Sequence, residues 1–384
     1  MDFSLSEDLR IMQAAIRKLV DQVLAPLSER IEMEDEIPDE VVEHLREMGL
    51  FGMSIPEQYG GLGLSALGEC LVYEEISRAN ASVRTRFSTN NGIGSLGILY
   101  DGTEEQRQRY LPDIASGAKT IAFALTEPDA GSDAAAIRTA ARRQGDEFVL
   151  NGRKMFITNG DIAELVTVLA VTDPAKGARG GISAFIVEKG TPGFEVGKLE
   201  KKMGLRGSHT AELIFEDCRV PVANVIGGEA MIGRGFQTAM RVLDKGRLTL
   251  AASAVGMANQ ALELAVSYAK QRVQFGQPIG QFQLIQGLLA QMASEVFAGQ
   301  QMVYRTAWEK DQGRDVRKQA AMTKLFCTEM LGRVVDRSLQ VHGGMGYMKD
   351  FAIERIYRDA RVTRIYEGTS EIQKLVIARE LLKD

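Results

Sequence analysis

The feature that most constrains the fold is a change of texture along the chain, from helical to β-rich and back to helical. Before residue 119 and after residue 225, apolar side chains recur at three- and four-residue spacing, which is typical of amphipathic helices. Between them lie six short β-rich runs separated by turns: KTIAFALTE, EFVLNGRKMFITNG, LVTVLAVTD, GGISAFIVEKG, GFEVGKLE and TAELIFEDCRVP. Because no helical pattern separates these runs, we expect antiparallel strands in a barrel-like or sandwich domain rather than a βαβ sheet.

The textures divide the chain into a helical N-terminal domain over residues 1–118, a middle β domain over 119–225 and a C-terminal helical domain over 226–384. The fold class expected is therefore mainly α with a central β domain. Ser4 and Glu7 have capping-box spacing, which predicts the start of the first helix. The long apolar stretches of the C-terminal region are typical of a helical bundle, and their excess of apolar surface indicates contacts between subunits.

Composition excludes several functional classes. The 384 residues include 46 Lys and Arg against 51 Asp and Glu, so the net charge of −5 gives no basic excess for nucleic acid. The three cysteines form no CxxC pair and the three histidines show no ligand spacing, so no metal site is expected. The sequence contains no uncharged run of about 18 or more apolar residues, so no membrane span is predicted. The N-terminal residues carry no signal-peptide core, so we expect a cytoplasmic protein.

Familiar phosphate-binding and nucleophile motifs are absent, since neither GxGxxG, GxxxxGK[ST] nor GxSxG occurs. The segment FALTEPDAGSD instead leads from a predicted strand into a loop that contains Thr126, Gly131 and Ser132. Hydroxyls and backbone amides in such a loop can hold the polar edge of a ring or phosphate oxygens. Composition alone favours a plain strand-to-turn connection.

A second segment, RIYEGTSEIQ, places Glu367 just before Thr369 and Ser370, a residue pair typical of a helix N-cap. A carboxylate at this place usually complements the helix dipole. It is also mounted on a turn, and Gly368 lets a ligand approach the backbone closely, as a base acting on a substrate would need. Both interpretations stay open from the residues alone.

A third segment, ASVRTRFSTNNG, carries Arg84 and Arg86 among small and hydroxyl residues. The simplest interpretation is two surface arginines. The alternative is that one of them points inward, at a negative charge that the protein must recognise.

Seven segments resemble the acyl-CoA dehydrogenases, in order and spacing over nearly the whole chain, and most closely the short-chain and glutaryl-CoA dehydrogenase branches: FALTEPDAGSD, NGRKMFITNG, LRGSHTAELIFEDCRVP, DKGR, QRVQFGQPIGQFQLIQ, LQVHGGMGYMKDFAIERIYRDAR and IYEGTSEIQKLVIA. The resemblance implies a helical N-terminal domain, a middle β domain and a C-terminal four-helix bundle. It also implies FAD between the β domain and the bundle, in a homotetramer built as a dimer of dimers. The expected partners are an acyl-CoA substrate and electron-transferring flavoprotein as the electron acceptor, in fatty acid or dicarboxylate catabolism.

The resemblance assigns roles to individual positions, with Glu367 as the catalytic base. The implied FAD-binding residues, some of them contributed to a neighbouring subunit, are Phe123, Leu125, Thr126, Gly131, Ser132, Phe156, Ile157, Thr158, Arg272, Phe275, Gln283, Gln340, Val341, Gly343, Gly344, Thr369 and Glu371. The implied substrate-binding residues are Arg84, Ser88, Ser132, Asp244, Arg247, Tyr366 and Gly368. No metal is implied.

The implied reaction is α,β-dehydrogenation of an acyl-CoA thioester. Glu367 takes the pro-R α-proton while the β-hydrogen leaves as hydride to flavin N5. The developing enolate oxygen is held by the backbone N–H of Glu367 and by a ribityl hydroxyl of FAD. One branch of the family carries its base on the helix equivalent to VLDKGRLTL, where this chain has Gly246, which cannot serve.

The spacing of Arg84 and Ser88 refines the substrate. Residues four apart share a helix face, whereas residues two apart lie about 200° from each other, so Arg84 and Ser88 can enter the acyl pocket together while Arg86 cannot. Glutaryl-CoA dehydrogenases carry an arginine and a serine with this spacing, at the same distance before the helix that begins here as GTEEQR. An inward arginine needs an anion, either a local Glu74 or Glu75 or the substrate.

We therefore expect a short ω-carboxyl acyl-CoA, such as a glutaryl-like thioester, because a guanidinium suits a planar carboxylate. The first alternative is an ordinary short- or medium-chain fatty or branched acyl-CoA dehydrogenase in which Arg84 is structural. Alternatives from other classes are a flavin oxidase, a desulfinase-like relative and a non-catalytic CoA-binding protein of the same fold.

Overall fold

The computed structural model describes residues 4–383, and its first part is helical. A π-helical turn, Val20–Leu24, joins the first two helices without a break. The helices are α1 (Glu7–Leu19), α2 (Ala25–Glu34), α3 (Asp39–Glu47), α4 (Ala66–Ala79), α5 (Ala81–Asn91), α6 (Leu96–Asp101) and α7 (Glu104–Ala115). The predicted cap of α1 is wrong: the Ser6 hydroxyl, not that of Ser4, accepts from the N–H of Leu9, since Ser6 directly precedes the first helical residue.

The middle part is a seven-stranded sheet in the order β1-β4-β2-β3-β7-β6, with β5 paired to β4. The strands are β1 (Ile121–Ala124), β2 (Ala140–Gln144), β3 (Glu147–Thr158), β4 (Leu165–Val171), β5 (Ile182–Glu188), β6 (Phe194–Leu199) and β7 (Thr210–Pro221). β2 was not predicted from the sequence, because its residues, AARRQ, are mostly exposed and polar. Purely antiparallel pairing was also wrong. β1 runs parallel to β4, which the long connection between them permits.

The last part is again helical, apart from a short hairpin. Its elements are α8 (Gly235–Gln271), β8 (Val273–Gln274), β9 (Gln277–Pro278), α9 (Gln283–Asp311), α10 (Arg317–His342), α11 (Ala352–Val362) and α12 (Ser370–Leu381). α10 packs along α8, α9, α11 and α12. Within residues 4–383, no helix is long and apolar enough to cross a membrane.

The N-terminal and C-terminal helices share one hydrophobic core. Buried side chains from α4 and α5, including Tyr73 and Phe87, belong to the same cluster as Val255 from α8 and Leu331 from α10. α8 crosses α4 so closely that a Cβ at Gly256 would lie 2.0 Å from a backbone oxygen of α4. A glycine is therefore needed at this crossing. The sheet has a separate core of its own, drawn from residues 122–225.

Candidate active site

A cavity of about 260 Å³ lies where α5, the loop after β1, the end of β3, α8 and the turn after α11 meet. The residues predicted from sequence that line it are Arg84, Ser88, Phe123, Leu125, Thr126, Gly131, Ser132, Phe156, Ile157, Thr158, Arg247, Tyr366, Glu367 and Gly368. Lining residues that the sequence did not single out are Thr85, Thr89, Ile93, Ala134, Met240, Leu243 and Ile372. The cavity thus draws on all three parts of the chain.

Glu367 is mounted on the turn between α11 and α12. Its backbone is left-handed, with φ 53°, and Gly368 follows with φ 88°. Its side chain is 17% exposed, and Oε2 is buried without a hydrogen-bond partner among the described residues. Its backbone N–H makes no hydrogen bond with residues 4–383 either. Non-glycine residues in this conformation are uncommon and carry backbone strain. Within the described chain, an unpaired carboxylate oxygen and an unpaired backbone N–H therefore belong to the same strained residue, Glu367.

Room for the carboxylate comes from α8. A Cβ at Gly246 would lie 2.4 Å from Glu367 Oε2, so any larger residue would displace the carboxylate. From the sequence, Gly246 was noted only because one branch of the family that the chain resembles carries its base at the equivalent position. The structure shows that the two positions face each other across the same space.

The electrostatics of Glu367 balance burial against nearby cations. Burial raises the pKa of the Glu367 carboxyl, and Arg84, Lys324 and Arg247, in that order, lower it. Burial dominates, so the pKa lies above its usual range. A carboxylate whose pKa rises in this way is a stronger base than a solvated one.

Arg84 points from α5 into the cavity and is 4% exposed. Its Nη2 donates to the hydroxyl of Tyr366 at 3.1 Å, and its guanidinium lies 5.9 Å from the ring centroids of both Tyr73 and Tyr366. The nearest carboxylate oxygen in an ion pair is Glu367 Oε1, at 3.8 Å. The guanidinium is therefore held by aromatic rings and one hydroxyl, and makes no direct hydrogen bond to a carboxylate in the described chain.

Of the two alternatives for the partner of Arg84, the local one is not found: neither Glu74 nor Glu75 forms an ion pair with it. Glu74 Oε1 accepts from Asn259 and Gln300, and Glu75 accepts from Gln13 and Arg17, so both carboxylates have partners other than Arg84. They lie on α4, and neither lines the cavity.

Helical spacing places the other two residues of α5 as predicted. Ser88 lines the cavity beside Arg84. Arg86 leaves on the opposite side, where Nη1 donates to Thr120 Oγ1 at 2.7 Å and the guanidinium covers the ring of Phe51.

The loop after β1 is held by a buried ion pair that sequence reasoning missed. Lys154 on β3 is 0% exposed and its Nζ donates to Glu127 Oε1 at 2.7 Å and to the carbonyl oxygen of Leu125 at 3.1 Å. Glu127 in turn accepts from the N–H groups of Arg138 and Thr139. The pair fixes the loop that presents Thr126 and Ser132 to the cavity. Lys154 stands in the polar segment NGRK of β3, next to Arg153, so nothing in the sequence indicated its burial.

The end of β3 forms the opposite wall of the cavity. Phe156 adopts a left-handed backbone, φ 60°, at an irregularity in the pairing of β3 with β7, and remains 59% exposed. Ile157 is buried beneath it, and Thr158 adds a hydroxyl to the wall.

Arg247 on α8 also lines the cavity and is buried. Its Nη1 pairs with Asp244, and Asp244 also accepts from Arg317 Nε at 3.2 Å. Asp244 itself lines a separate surface cavity next to α10 and does not reach the cavity that contains Glu367.

The remaining predicted cofactor residues lie apart from this cavity. Arg272, Phe275, Gln283, Val341, Gly343 and Gly344 line a second cavity of about 920 Å³, formed by the β8–β9 hairpin and the ends of α9 and α10. Phe275 is 94% exposed and Gln340 is exposed on α10. Thr369 accepts from the N–H of Ile372 as the N-cap of α12, and Glu371 is exposed in the first turn.

The residues present fit FAD. The cavity combines apolar walls from Phe123, Phe156 and Ile157 with hydroxyls of Thr126 and Thr158, which suits a flat ring with a polar edge. The ring of Phe156 is largely exposed in the single chain, which leaves it available to stack against the flavin ring.

Three family models together match most of the chain: the acyl-CoA dehydrogenase N-terminal domain over residues 6–118, the middle domain over 122–218 and the C-terminal domain over 233–382. An acyl-CoA dehydrogenase of Bacillus subtilis (strain 168) is 47% identical over 372 residues, which cover 97% of each chain.

Two solved structures are similar over the full chain. Butyryl-CoA dehydrogenase from Megasphaera elsdenii has a TM-score of 0.96 at 39% identity, covering 100% of both chains. A glutaryl-coenzyme A dehydrogenase in complex with glutaryl-CoA has a TM-score of 0.93 at 36% identity, covering 100% of this chain and 97% of that one. The chain therefore belongs to the acyl-CoA dehydrogenase family, whose members are oxidoreductases acting on CH–CH groups.

Proposed function

We propose that this protein catalyses the FAD-dependent α,β-dehydrogenation of a short acyl-CoA thioester, with Glu367 as the base that removes the α-proton. The observation that carries this proposal is the state of Glu367: the residue lines the cavity, and its Oε2 is buried next to Gly246 without a partner among the described residues. A structural carboxylate at a helix start would instead accept from the backbone of α12, a role that Thr369 already fills.

Proton removal also requires stabilisation of the developing enolate oxygen, because a thioester α-proton is far too weakly acidic for a free carboxylate. The N–H of Glu367 is a donor without a partner in residues 4–383, adjacent to the base. Donors of this kind contribute on the order of 2.7–4 kcal/mol each to the transition state. Substrate that fills the cavity excludes water, which raises the pKa of the base further.

We assign FAD binding to two sets of residues. Phe123 to Ser132 and Phe156 to Thr158 would hold the ring in the active-site cavity. The residues of the second cavity, with Arg272 and Phe275, would hold the pyrophosphate and adenosine side of FAD bound mainly by a neighbouring subunit, with Gln340 beside them. Thr369 and Glu371 would flank the ADP portion at the start of α12, where helix N–H groups suit phosphate. The chemistry FAD would supply is acceptance of the β-hydrogen as hydride.

This division of the FAD site supports a site shared between two chains, and the family resemblance supports a homotetramer arranged as a dimer of dimers. The two cavities share no lining residue, so one chain would complete the cofactor site of another. Phe275, almost fully exposed in the single chain, would then be covered. For the reoxidation of the flavin, family resemblance supports electron-transferring flavoprotein as the acceptor.

For the substrate, we favour an ω-carboxyl acyl-CoA of glutaryl-like length. Arg84 is a buried guanidinium in the acyl cavity with donors not committed to a carboxylate, and Ser88 lies on the same face. A planar carboxylate would receive two parallel hydrogen bonds from the guanidinium. At the other end, Arg247, Ser132 and Asp244 would meet the CoA moiety.

One observation favours a second candidate, an ordinary short-chain acyl-CoA dehydrogenase. Glu367 Oε1 lies 3.8 Å from Arg84 Nη2, so the base itself can serve as the counter-ion of the arginine. In that case, a butyryl-like chain would occupy the cavity without touching a charge.

The test is anaerobic reduction of the FAD-loaded protein by butyryl-CoA and by glutaryl-CoA, followed through the visible absorbance of the flavin. The flavin absorbance of the wild-type protein is expected to bleach with at least one of these two thioesters. Glu367→Gln is expected to retain FAD and bind acyl-CoA but to reduce the flavin roughly 10²–10⁴-fold more slowly. Near-normal reduction by Glu367→Gln would place the base elsewhere, and a protein that retains no flavin would overturn the proposal. Rapid reoxidation by oxygen would indicate the oxidase alternative.

A further inference from the structure

A lysine without exposed surface lies on α10, beside the turn that carries Glu367. Lys324 is 0% exposed, and its Nζ donates to the carbonyl oxygen of Gly368 at 2.8 Å. No carboxylate oxygen in residues 4–383 comes within 4.0 Å of this ammonium, so it forms no ion pair there. Burial of a charge without a direct counter-ion is costly, and packing alone does not explain a lysine at this position.

The turn is held from two helices. Gln373 on α12 donates through Nε2 to the carbonyl oxygens of Glu367, at 3.2 Å, and Gly368, at 3.0 Å. Lys324 holds the same Gly368 oxygen from α10. A neutral donor such as a glutamine amide already satisfies these carbonyls, so the hydrogen bond by itself does not require a cation.

The positive charge matters because of what faces Glu367. From α5 comes Arg84, from α8 Arg247 and from α10 Lys324, and Tyr366 is the neighbouring residue on the turn. The charge of Arg247 is offset by its ion pair with Asp244. Lys324 has no such direct partner, so more of its field is available to the carboxylate.

The charges that face Lys324 itself lead to the same conclusion. Burial lowers the pKa of its ammonium to about 8; Glu367, Glu329 and Glu371 oppose that change, and Arg247 adds to it. A group with this pKa is mostly protonated at pH 7. Glu367 is the strongest of the opposing groups, so the two residues support each other's charge.

We propose that Lys324 is a positioning residue for the base: it holds the Gly368 carbonyl, and its positive charge keeps the Glu367 carboxyl ionised until substrate arrives. This rests on the proposed function only in taking Glu367 as the base, since the coupling between the two side chains exists in the free protein. When Glu367 takes up the α-proton, Lys324 loses its main counter-charge, which favours return of that proton to solvent after product leaves.

Two variants separate the charge from the hydrogen bond. Lys324→Met removes both at similar length, whereas Lys324→Gln removes the charge but keeps a donor for Gly368. The matched control is Lys310→Met. Lys310 is partly buried and its pKa is likewise lowered to about 8, but it faces Lys245 and Glu69 rather than Glu367.

The first measurement needs no turnover. The protein is labelled with ¹³C in the glutamate side chains, the Glu367 carboxyl signal is assigned by its loss in Glu367→Gln, and the signal is titrated with pH. Loss of a nearby cation raises the pKa of a carboxyl, so both Lys324 variants are expected to titrate roughly one pH unit higher than wild type, and Lys310→Met unchanged. A shift in Lys324→Met alone would mean that the lysine acts only through its hydrogen bond, and no shift in either would also overturn the proposal.

The second measurement is the pH profile of flavin reduction by acyl-CoA in a stopped-flow instrument. The acid limb of this profile is expected to shift to higher pH by roughly one unit in both Lys324 variants, as in the carboxyl titration. The rate on the alkaline plateau should be much less affected. If Glu367→Gln still reduces flavin, the proposed base fails, and the carboxyl titration alone decides the role of Lys324. If the titration shifts but the acid limb does not, the positioning role in catalysis is refuted.

Discussion

Replacement of Arg84 by alanine is expected to slow the reaction of glutaryl-CoA far more than that of butyryl-CoA. The guanidinium is 4% exposed and flanked by the rings of Tyr73 and Tyr366, so an ω-carboxylate bound to it would be almost fully desolvated. Truncation of one partner in a buried, hydrogen-bonded charge pair costs about 2–5 kcal/mol. At about 1.4 kcal/mol per tenfold, kcat/KM for glutaryl-CoA should fall roughly 30- to 4000-fold.

The comparison must be a ratio, because Arg84 also acts on the base. Burial raises the pKa of Glu367 and Arg84 is the largest of the groups that lower it, so Arg84→Ala raises this pKa further. More of the base is then protonated at a given pH, which slows both substrates alike. The ratio of kcat/KM for glutaryl-CoA to that for butyryl-CoA removes this shared effect. In wild type, we expect the ratio to favour glutaryl-CoA by on the order of 10⁴, by analogy with sites built for a polar group.

The chain offers its own control. Arg86 lies two residues away on the same helix, but donates to Thr120 and covers Phe51 outside the cavity. Arg86→Ala should leave the ratio unchanged, whereas Arg84→Lys should lower it, because an ammonium cannot give two parallel hydrogen bonds. A wild type that prefers butyryl-CoA, with the same preference in Arg84→Ala, would show that the arginine is structural and the dicarboxylyl assignment wrong.

Two further predictions concern the cofactor and the space around the base. Arg272→Ala should lower FAD occupancy and weaken the oligomer together, measured by absorbance and light scattering; a stable monomer with full FAD would contradict the shared site. Gly246→Ala should fold and retain FAD but slow flavin reduction, because its Cβ would lie 2.4 Å from Glu367 Oε2. Gly287→Ala on α9, where a Cβ meets nothing within 4 Å, is the matched control, and equal reduction rates in the two variants would sink the steric argument.

Local patterns predicted the features that depend on near neighbours in sequence. The order of helical and β-rich parts, the separation of Arg84 and Ser88 from Arg86, and the cap at Thr369 all follow from periodicity or from the chemistry of adjacent residues. Recognition of the family then identified Glu367 on its turn.

Features that depend on distant partners could not be read in this way. The contact of Arg84 with Tyr366 joins residues 282 positions apart, so sequence reasoning looked instead to the nearby Glu74 and Glu75. Lys324 occurs in an apolar helical stretch, where its chemical character is visible but its proximity to Gly368 is not. β2 was missed because its last three residues, Arg142, Arg143 and Gln144, are all exposed, so the strand lacks the expected apolar alternation.

The shared helical core has a consequence for the order in which the chain can fold. α4 is buried along almost its whole length, and much of its cover comes from α8, which follows the entire β domain in sequence. At roughly 5–20 residues per second, a ribosome needs roughly 10 to 30 seconds to reach α8 after completing α4. The sheet can close its own core within residues 122–225 during that interval. Until α8 is made, the nascent N-terminal helices therefore expose the apolar face that α8 covers in the native fold. We expect this stage to offer the largest apolar surface to a holding chaperone.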